Sequence, residues 1–306
     1  MAVSGVHHFA LQVPDPDVGA EFYSAFGLTR HDAPDGIRFR PDGRAQDQVQ
    51  LYPGPAKRLH HLALSVAPGT LERTAASALA AGARRTDPAP VVDDLTGAGQ
   101  WLLDPEGNRL VLLDAPAAAW DAAPGQGWNT PGRLERPAEP VRAVEVVRPR
   151  RLGHVLLWAA DLEAQTRFLT DGLGMLLSDL GGDEIAFVRG AAHVADHHHV
   201  ALARGTAPGF HHAAFEVTGL DDIVAGSHRM ADRGWKDGWG LGRHALGSNL
   251  FHYVRDPWGS FAEYFTDIDV IPADCGWVPQ RHPAEVSLYR WGPDVPPYFM
   301  TNTDAR

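Results

Sequence analysis

Four segments of the chain open in the same way, and that repetition restricts its fold more than any single motif does. GVHHFALQVPD begins at Gly5, RLHHLALSVAP at Arg58, RLGHVLLWAAD at Arg151 and GFHHAAFEVTG at Gly209. A repeat of this kind marks a supersecondary unit that needs its neighbours to bury an apolar face. Each opening is a short apolar run closed by a turn signal, which reads as a strand, and each leads into a helical pattern. The spacing predicts helices over Val18–Phe26, Leu71–Ala81, Leu162–Asp171 and Leu220–Arg233. Asp17 and Asp161 stand where N-caps belong, and Gly27 and Gly172 or Gly174 where helices stop. Copies two and four end in plain hairpins, Gly99–Asp114 and Asn249–Asp267, each holding Asp-Pro-x-Gly. In that turn proline presets φ and glycine accepts a positive φ. The unit is βαβββ, used four times, and the class is α+β.

The repeats divide the 306 residues into two halves. Residues 1–115 form an N-terminal two-module domain, 116–149 a Pro/Ala/Gly-rich linker, 150–270 a C-terminal two-module domain, and 271–306 a Pro/Trp-rich tail expected to wrap that domain. A net charge of −11 without a basic run argues against nucleic acid as a partner. No apolar stretch reaches the roughly 20 residues that span a bilayer, and the N-terminus does not read as a signal peptide. Cys275 is the single cysteine, so no intrachain disulfide forms, which fits a reducing cytoplasm. The unusual number is 16 histidines, the commonest metal ligand and acid/base residue.

Three residues in the second half fall at corresponding ends of module strands: His154, His212 and Glu263. Glu263 shares a strand face with Phe261 and Phe265, where an ionised carboxylate is costly unless paired or bound to a metal. Two histidines and a carboxylate make the facial triad of non-haem Fe(II) oxygenases, which leaves positions open for substrate and O₂. The set suits Mn(II) as well as Fe(II). The first half supplies a comparison. His8 aligns with His154 and His61 with His212, but Val111 stands in place of Glu263, so the N-terminal site reads as vestigial. His211 and His252 are expected on the opposite strand face, as non-ligands.

With these residues in place, the chain resembles the two-domain type I extradiol dioxygenases of the vicinal oxygen chelate superfamily, over essentially its whole length. The resemblance implies paired βαβββ modules closing a barrel-like domain in each half (the glyoxalase-like fold), with the metal in the C-terminal one. The stretch Asp196-His-His-His199-Val-Ala-Leu resembles the strand bearing the family's acid/base histidine, which points to His199. Gly240-Leu-Gly-Arg-His244 resembles the loop with a substrate-contacting histidine, His244, and Leu250-Phe-His-Tyr253 the strand with the active-site tyrosine, Tyr253. The implied activity is insertion of both atoms of O₂ into a catecholic substrate, opening the ring beside the diol. His199 is then the proton donor, and His244 and Tyr253 bind substrate. Trp239 and Trp291, with Trp158 and Phe251, favour an apolar or aromatic ring substituent. Arg243 is expected to face away, leaving Arg290 as the candidate for a carboxylated substrate. A homo-oligomer without nucleic-acid or membrane partners is expected. Two alternatives share the fold: a drug-sequestering resistance protein without metal, which has no use for Glu263, His199, His244 and Tyr253 together, and a glyoxalase-type isomerase, which generally uses more carboxylate ligands.

Overall fold

The computed structural model describes residues 3–89, 94–117, 129–134 and 147–304. Module one runs β1 (Val3–Val13), α1 (Pro16–Phe26), β2 (Thr29–Ala33), β3 (Gly36–Arg40) and β4 (Val49–Pro53). Module two runs β5 (Arg58–Val66), α2 (Leu71–Ala80), β6 (Arg84–Arg85), α3 (Asp94–Gly97), β7 (Gln100–Leu103) and β8 (Arg109–Leu113). Module three has β9 (Arg151–Ala159), α4 (Leu162–Arg167), β10 (Leu176–Gly181), β11 (Ile185–Arg189), the inserted β12 (Val194–Asp196) and β13 (Val200–Arg204). Module four has β14 (Gly209–Glu216), α5 (Leu220–Asp232), β15 (Gly238–His244), β16 (Leu250–Arg255) and β17 (Phe261–Thr266). The tail adds β18 (Val270–Pro272), β19 (Gln280–His282), α6 (Ala284–Ser287) and β20 (Tyr289–Trp291). Of the expected linker, 118–128 and 135–146 lie outside the described residues.

The helix ends follow local chemistry. Asp15, not Asp17, caps α1, accepting from the N–H groups of Asp17 and Val18, because Pro16 is preorganised for the first helical position and moves the start upstream. Asp161 caps α4 as expected, accepting from Ala164 N–H, and a π-helical turn over Phe168–Gly172 prolongs that helix. In the final hairpins the turn aspartates do the closing: Asp104 accepts from Glu106 and Asn108 N–H, and Asp256 from Trp258 and Ser260 N–H.

Each half is built on one large mixed sheet in which two modules meet through their first strands, and in the C-terminal half β12 and β18 pair apart from it. The N-terminal order is β2-β3-β4-β1-β5-β8-β7-β6, and the C-terminal order is β19-β10-β11-β13-β9-β14-β17-β16-β15-β20. The orders are linear, so the end strands of a sheet do not pair with each other. In the C-terminal half the tail does the joining. β19 pairs with β10 at one edge and β20 with β15 at the other, and only α6 lies between those two tail strands. One short stretch thus spans both edges of the sheet.

The halves share one apolar core. Phe26 stacks on Tyr264 at 3.8 Å, Phe9 on Phe210 at 5.0 Å, and Tyr264 Oη donates to Phe26 O at 2.8 Å. The tail end is pinned to the first half as well: buried Lys57 pairs with Asp304, whose carboxylate also accepts from Leu59 N–H at 2.9 Å. Among the described residues no helix is long and apolar enough to cross a membrane.

Candidate metal centre

The pairing of four strands lays the site out as a single row. His154 on β9 lies opposite Ala214 on β14, Ala214 opposite Glu263 on β17, and Glu263 opposite Tyr253 on β16. Directly opposed residues share a sheet face, so the row presents His154, Glu263 and Tyr253 together, with a small residue between the first two. The N-terminal sheet repeats the row as His8, Ala63, Val111 and Trp101. Val111 therefore occupies the register position of Glu263. Without the carboxylate, His8 and His61 bond to each other through Nε2 atoms 2.9 Å apart.

A second shared device is a β-bulge. In all four first strands the pairing skips the residue just before the histidine: His7, His60, Gly153 and His211. A bulged residue breaks the alternation of faces. At Gly153 a side chain has no room, since its Cβ would sit 2.3 Å from the Phe265 ring. At His211 the bulge overturns the expectation that this ring turns to the opposite face. Its Nδ1 meets Nδ1 of His212 at 2.7 Å and its Nε2 lies 2.7 Å from Phe299 O. A carbonyl only accepts, so His211 Nε2 carries the proton, and its bare Nδ1 accepts from His212 Nδ1–H. His212 Nε2 is left with its lone pair free, the form a metal ligand needs.

The three expected ligands converge. Donor atoms of His154, His212 and Glu263 all lie within 4.8 Å of one another. Glu263 Oε2 is 3.3 Å from His154 Nε2 and 3.5 Å from His212 Nε2. Glu263 is fully buried, and both its Oε2 and His212 Nε2 lack a hydrogen-bond partner. Buried polar atoms are seldom left so; a divalent cation would satisfy them at once. Glu263 Oε1 is held by Asn249 Nδ2 at 3.1 Å. Sequence reasoning missed Asn249, which lies in the connection just before β16 with no strand pattern to mark it.

A cavity lies over these ligands, and His154, His198, His212, His244 and Tyr253 are on its wall. His244 Nδ1 donates to Leu288 O at 2.7 Å, so its Nε2 accepts from Tyr253 Oη at 2.9 Å. Burial, and then the charge of Glu263, raise the Tyr253 hydroxyl well above its ordinary value, so it stays protonated. His199 is not on the wall. It accepts from Gly190 N–H at 3.0 Å and lies against Gly5 of the N-terminal half. Ala201 and Ala203 do line the cavity, so strand alternation alone would turn His199 inward. The chain leaves the regular ladder before Val200, and His198 takes the inward position, 4.2 Å from the His154 ring.

Trp239 and Trp291 also depart from expectation. Trp239 is buried behind the wall, stacked on Tyr253 at 5.6 Å, and its indole N–H donates to Pro293 O. Trp291 is half exposed on edge strand β20, and Phe251 stacks on His244 without reaching the cavity. The apolar wall is made instead by Trp158, Phe187, Leu246, Leu288, Phe299 and Met300, three of them from the tail. Arg243 faces away, paired with Asp267 at 2.7 Å, and Arg290 is exposed.

Burial keeps many of the histidines neutral. His60, His199, His211 and His252 are each pushed down to about 4, with loss of solvent the main cause. Unfolded histidine protonates near pH 6.5. Between about pH 6.5 and 4 the unfolded chain thus binds more protons than the folded one, and stability rises with pH in that window. The thermal midpoint should fall as pH is lowered from about 7 to 5; a flat midpoint would contradict neutral burial.

Comparison with known proteins follows the same division. Residues 151–264 match the glyoxalase/bleomycin resistance protein/dioxygenase superfamily, and residues 8–113 match a glyoxalase-like domain. Over 99% of this chain and 93% of the relative, the sequence is 40% identical to metapyrocatechase 2 of Cupriavidus necator. The Mn(II)-bound glyoxalase from Novosphingobium aromaticivorans has a TM-score of 0.78 at 24% identity, covering 97% of this chain and 94% of that one. Homoprotocatechuate 2,3-dioxygenase of Brevibacterium fuscum, solved with 3,4-dihydroxyphenylacetate, has a TM-score of 0.77 at 19% identity, covering 99% and 93%. At such identities the two structures establish the shared fold alone.

Proposed function

The chain belongs to the glyoxalase/bleomycin resistance protein/dioxygenase superfamily and is an extradiol ring-cleavage dioxygenase acting on catechols, and from that premise we propose that His154, His212 and Glu263 hold its metal. The observation that carries this reading is the pair of buried, partnerless atoms, Glu263 Oε2 and His212 Nε2, facing each other across 3.5 Å. Fe(II) is the metal proposed, and Mn(II) suits the same donors. When bound, such an ion would offer its charge to the diol oxygens and O₂ and would favour loss of a diol proton. The vestigial reading of the N-terminal site has its support in Val111 and in the direct bond between His8 and His61.

The remaining steps belong to side chains. His198, not His199, serves as the acid/base residue. Burial above all, and then the neighbouring histidines, lower it well below its ordinary value, so it meets the substrate as a neutral acceptor. It takes a proton from the diol and returns it as the ring opens. Tyr253, kept protonated, has its one O–H on His244 Nε2 in the free site and turns it to the substrate oxygens when a catechol binds, His244 holding the hydroxyl at the cavity wall until then. The cavity gives a ring substituent an apolar surround. No lysine or arginine among the described residues lines it, and the one unpaired donor on that apolar wall is Trp158 Nε1.

The preferred substrate is therefore a catechol with an alkyl or aryl group. A carboxylate placed there would lose water and meet no cation, only the Trp158 N–H, a loss of about 1.4 kcal/mol or more, which is tenfold or more in rate. O₂ uptake and ring-opened product, followed across catechols bearing phenyl, methyl or acetate groups, test this. Phenyl- or methylcatechol should exceed the acetate in kcat/KM by at least about tenfold; the opposite order would reject the apolar reading. Turnover without O₂ uptake would indicate isomerase chemistry. A cytoplasmic location is proposed on the strength of Cys275, which is free and exposed.

A further inference from the structure

We propose that His197 and Asp179 form a positioning pair behind His198, fixing which of its ring nitrogens meets the substrate and holding the proton it removes until the product takes it back. The proposal rests on the reading of His198 as the acid/base residue. Its basis is a hydrogen-bond chain that leads away from the cavity. His198 Nδ1 lies 3.2 Å from His197 Nδ1, and His197 Nε2 lies 3.0 Å from Asp179 Oδ2. Both His197 and Asp179 are buried. The second oxygen of Asp179 accepts from Gln280 N–H at 2.8 Å and faces His282 Nε2 at 3.4 Å, so tail strand β19 holds the far end. The His197 backbone N–H donates to Asp269 O at 2.8 Å, and its ring packs on Phe187 and Trp277.

Proton counting gives the chain a direction. Burial pushes the Asp179 carboxyl up, but the bonds from His197 and Gln280 N–H outweigh it and hold the group below its ordinary value. A carboxylate only accepts, so His197 Nε2 carries a proton. Between the two facing Nδ1 atoms there is room for one proton. When it sits on His198, the Nε2 of that ring is bare and able to accept. As a diol O–H breaks, an N–H forms at His198 Nε2. The N–H at His198 Nδ1 then breaks as one forms at His197 Nδ1. His197 becomes an imidazolium against the Asp179 carboxylate. The return reverses both transfers, and nothing is oxidised or reduced in the shuttle. A pair needed only for packing could be apolar at no loss; here every polar atom of the chain is directed at the next.

The test compares His197→Phe, Asp179→Asn, His198→Phe and the double variant His197→Phe/His198→Phe. Metal content, KM for catechol and kcat by O₂ uptake are read for each. His197→Phe should keep its metal and a KM within about threefold of the parent, while kcat falls by roughly tenfold or more. Asp179→Asn, which leaves an acceptor but removes the charge, should show the same split and stands in if the Phe variant folds poorly. In the His198→Phe background the His197 change should add nothing, because the pair acts through that ring. The proposal is overturned if His198→Phe is inactive while His197→Phe and Asp179→Asn turn over like the parent, or if the His197 loss persists undiminished without His198. A fully active His198→Phe would instead reject the underlying acid/base assignment.

Discussion

Glu263→Gln is expected to yield a folded protein that no longer retains metal. Glutamine has the same shape, and its amide oxygen can still accept the bond from Asn249 that now holds Oε1. The amide nitrogen then takes the place of Oε2, between His154 Nε2 and His212 Nε2. It presents hydrogens to the lone pairs that should bind the cation, and the only negative charge of the set is gone. Losing a partner behind a ligand already costs 10–100-fold in metal affinity, so loss of a ligand itself should cost at least about 100-fold, with activity falling in step. The metal-free variant should melt no lower than the metal-free parent, because a fully buried carboxylate has been removed from the core. Elemental analysis after dialysis, with melting curves in chelator, measures both. A variant with full metal content would remove Glu263 from the ligand set.

His198→Phe and His199→Phe form the second large contrast. His198→Phe should keep its metal, because no hydrogen bond or ligand atom of the triad depends on it, yet lose about 100-fold or more in kcat, the scale for a positioned acid/base group. His199→Phe should keep both metal and most turnover. It loses the bond from Gly190 N–H, a stability cost of about 1 kcal/mol. Steady-state kinetics on metal-loaded protein, with melting curves for both variants, separate the two. If the pattern came out reversed, the residue facing the reaction would be His199 despite its packing against Gly5.

What could be read from the chain and what could not divides along one line. His154, His212 and Glu263 ride on strands, where spacing and alternation carry position; His244 and Tyr253 follow from the family resemblance; the structure brings all five together. The βαβββ count, the final hairpins and the match of Val111 to Glu263 are legible for the same reason. Errors gather where the backbone stops being periodic. The motif resemblance points to His199, but the chain leaves the ladder before Val200 and His198 lines the cavity, and at His211 a bulge is invisible in the spelling of the strand. Trp239 and Trp291 offer aromatic faces for a ring substituent, but one packs behind Tyr253 and the other sits on an edge. Asn249 reaches Glu263 from the connection between β15 and β16, and Phe299 and Met300 come from a tail without any repeat. Such residues are fixed by tertiary contacts that no local pattern announces.

The tail also imposes an order on how the molecule is made. It joins both edges of the C-terminal sheet and supplies Leu288, Phe299 and Met300 to the cavity. Synthesis proceeds from the N-terminus, and domains fold as they emerge. The four modules, with all three candidate ligands, therefore emerge before residues 271–304 do. During that interval β10 and β15 are open edges, the kind that other chains can pair with, and the substrate chamber lacks a wall. An ion can be captured by a nascent chain that has no place yet for a catechol. A chain without residues 271–304 would keep the candidate ligands but lose Leu288, Phe299 and Met300 from the cavity wall.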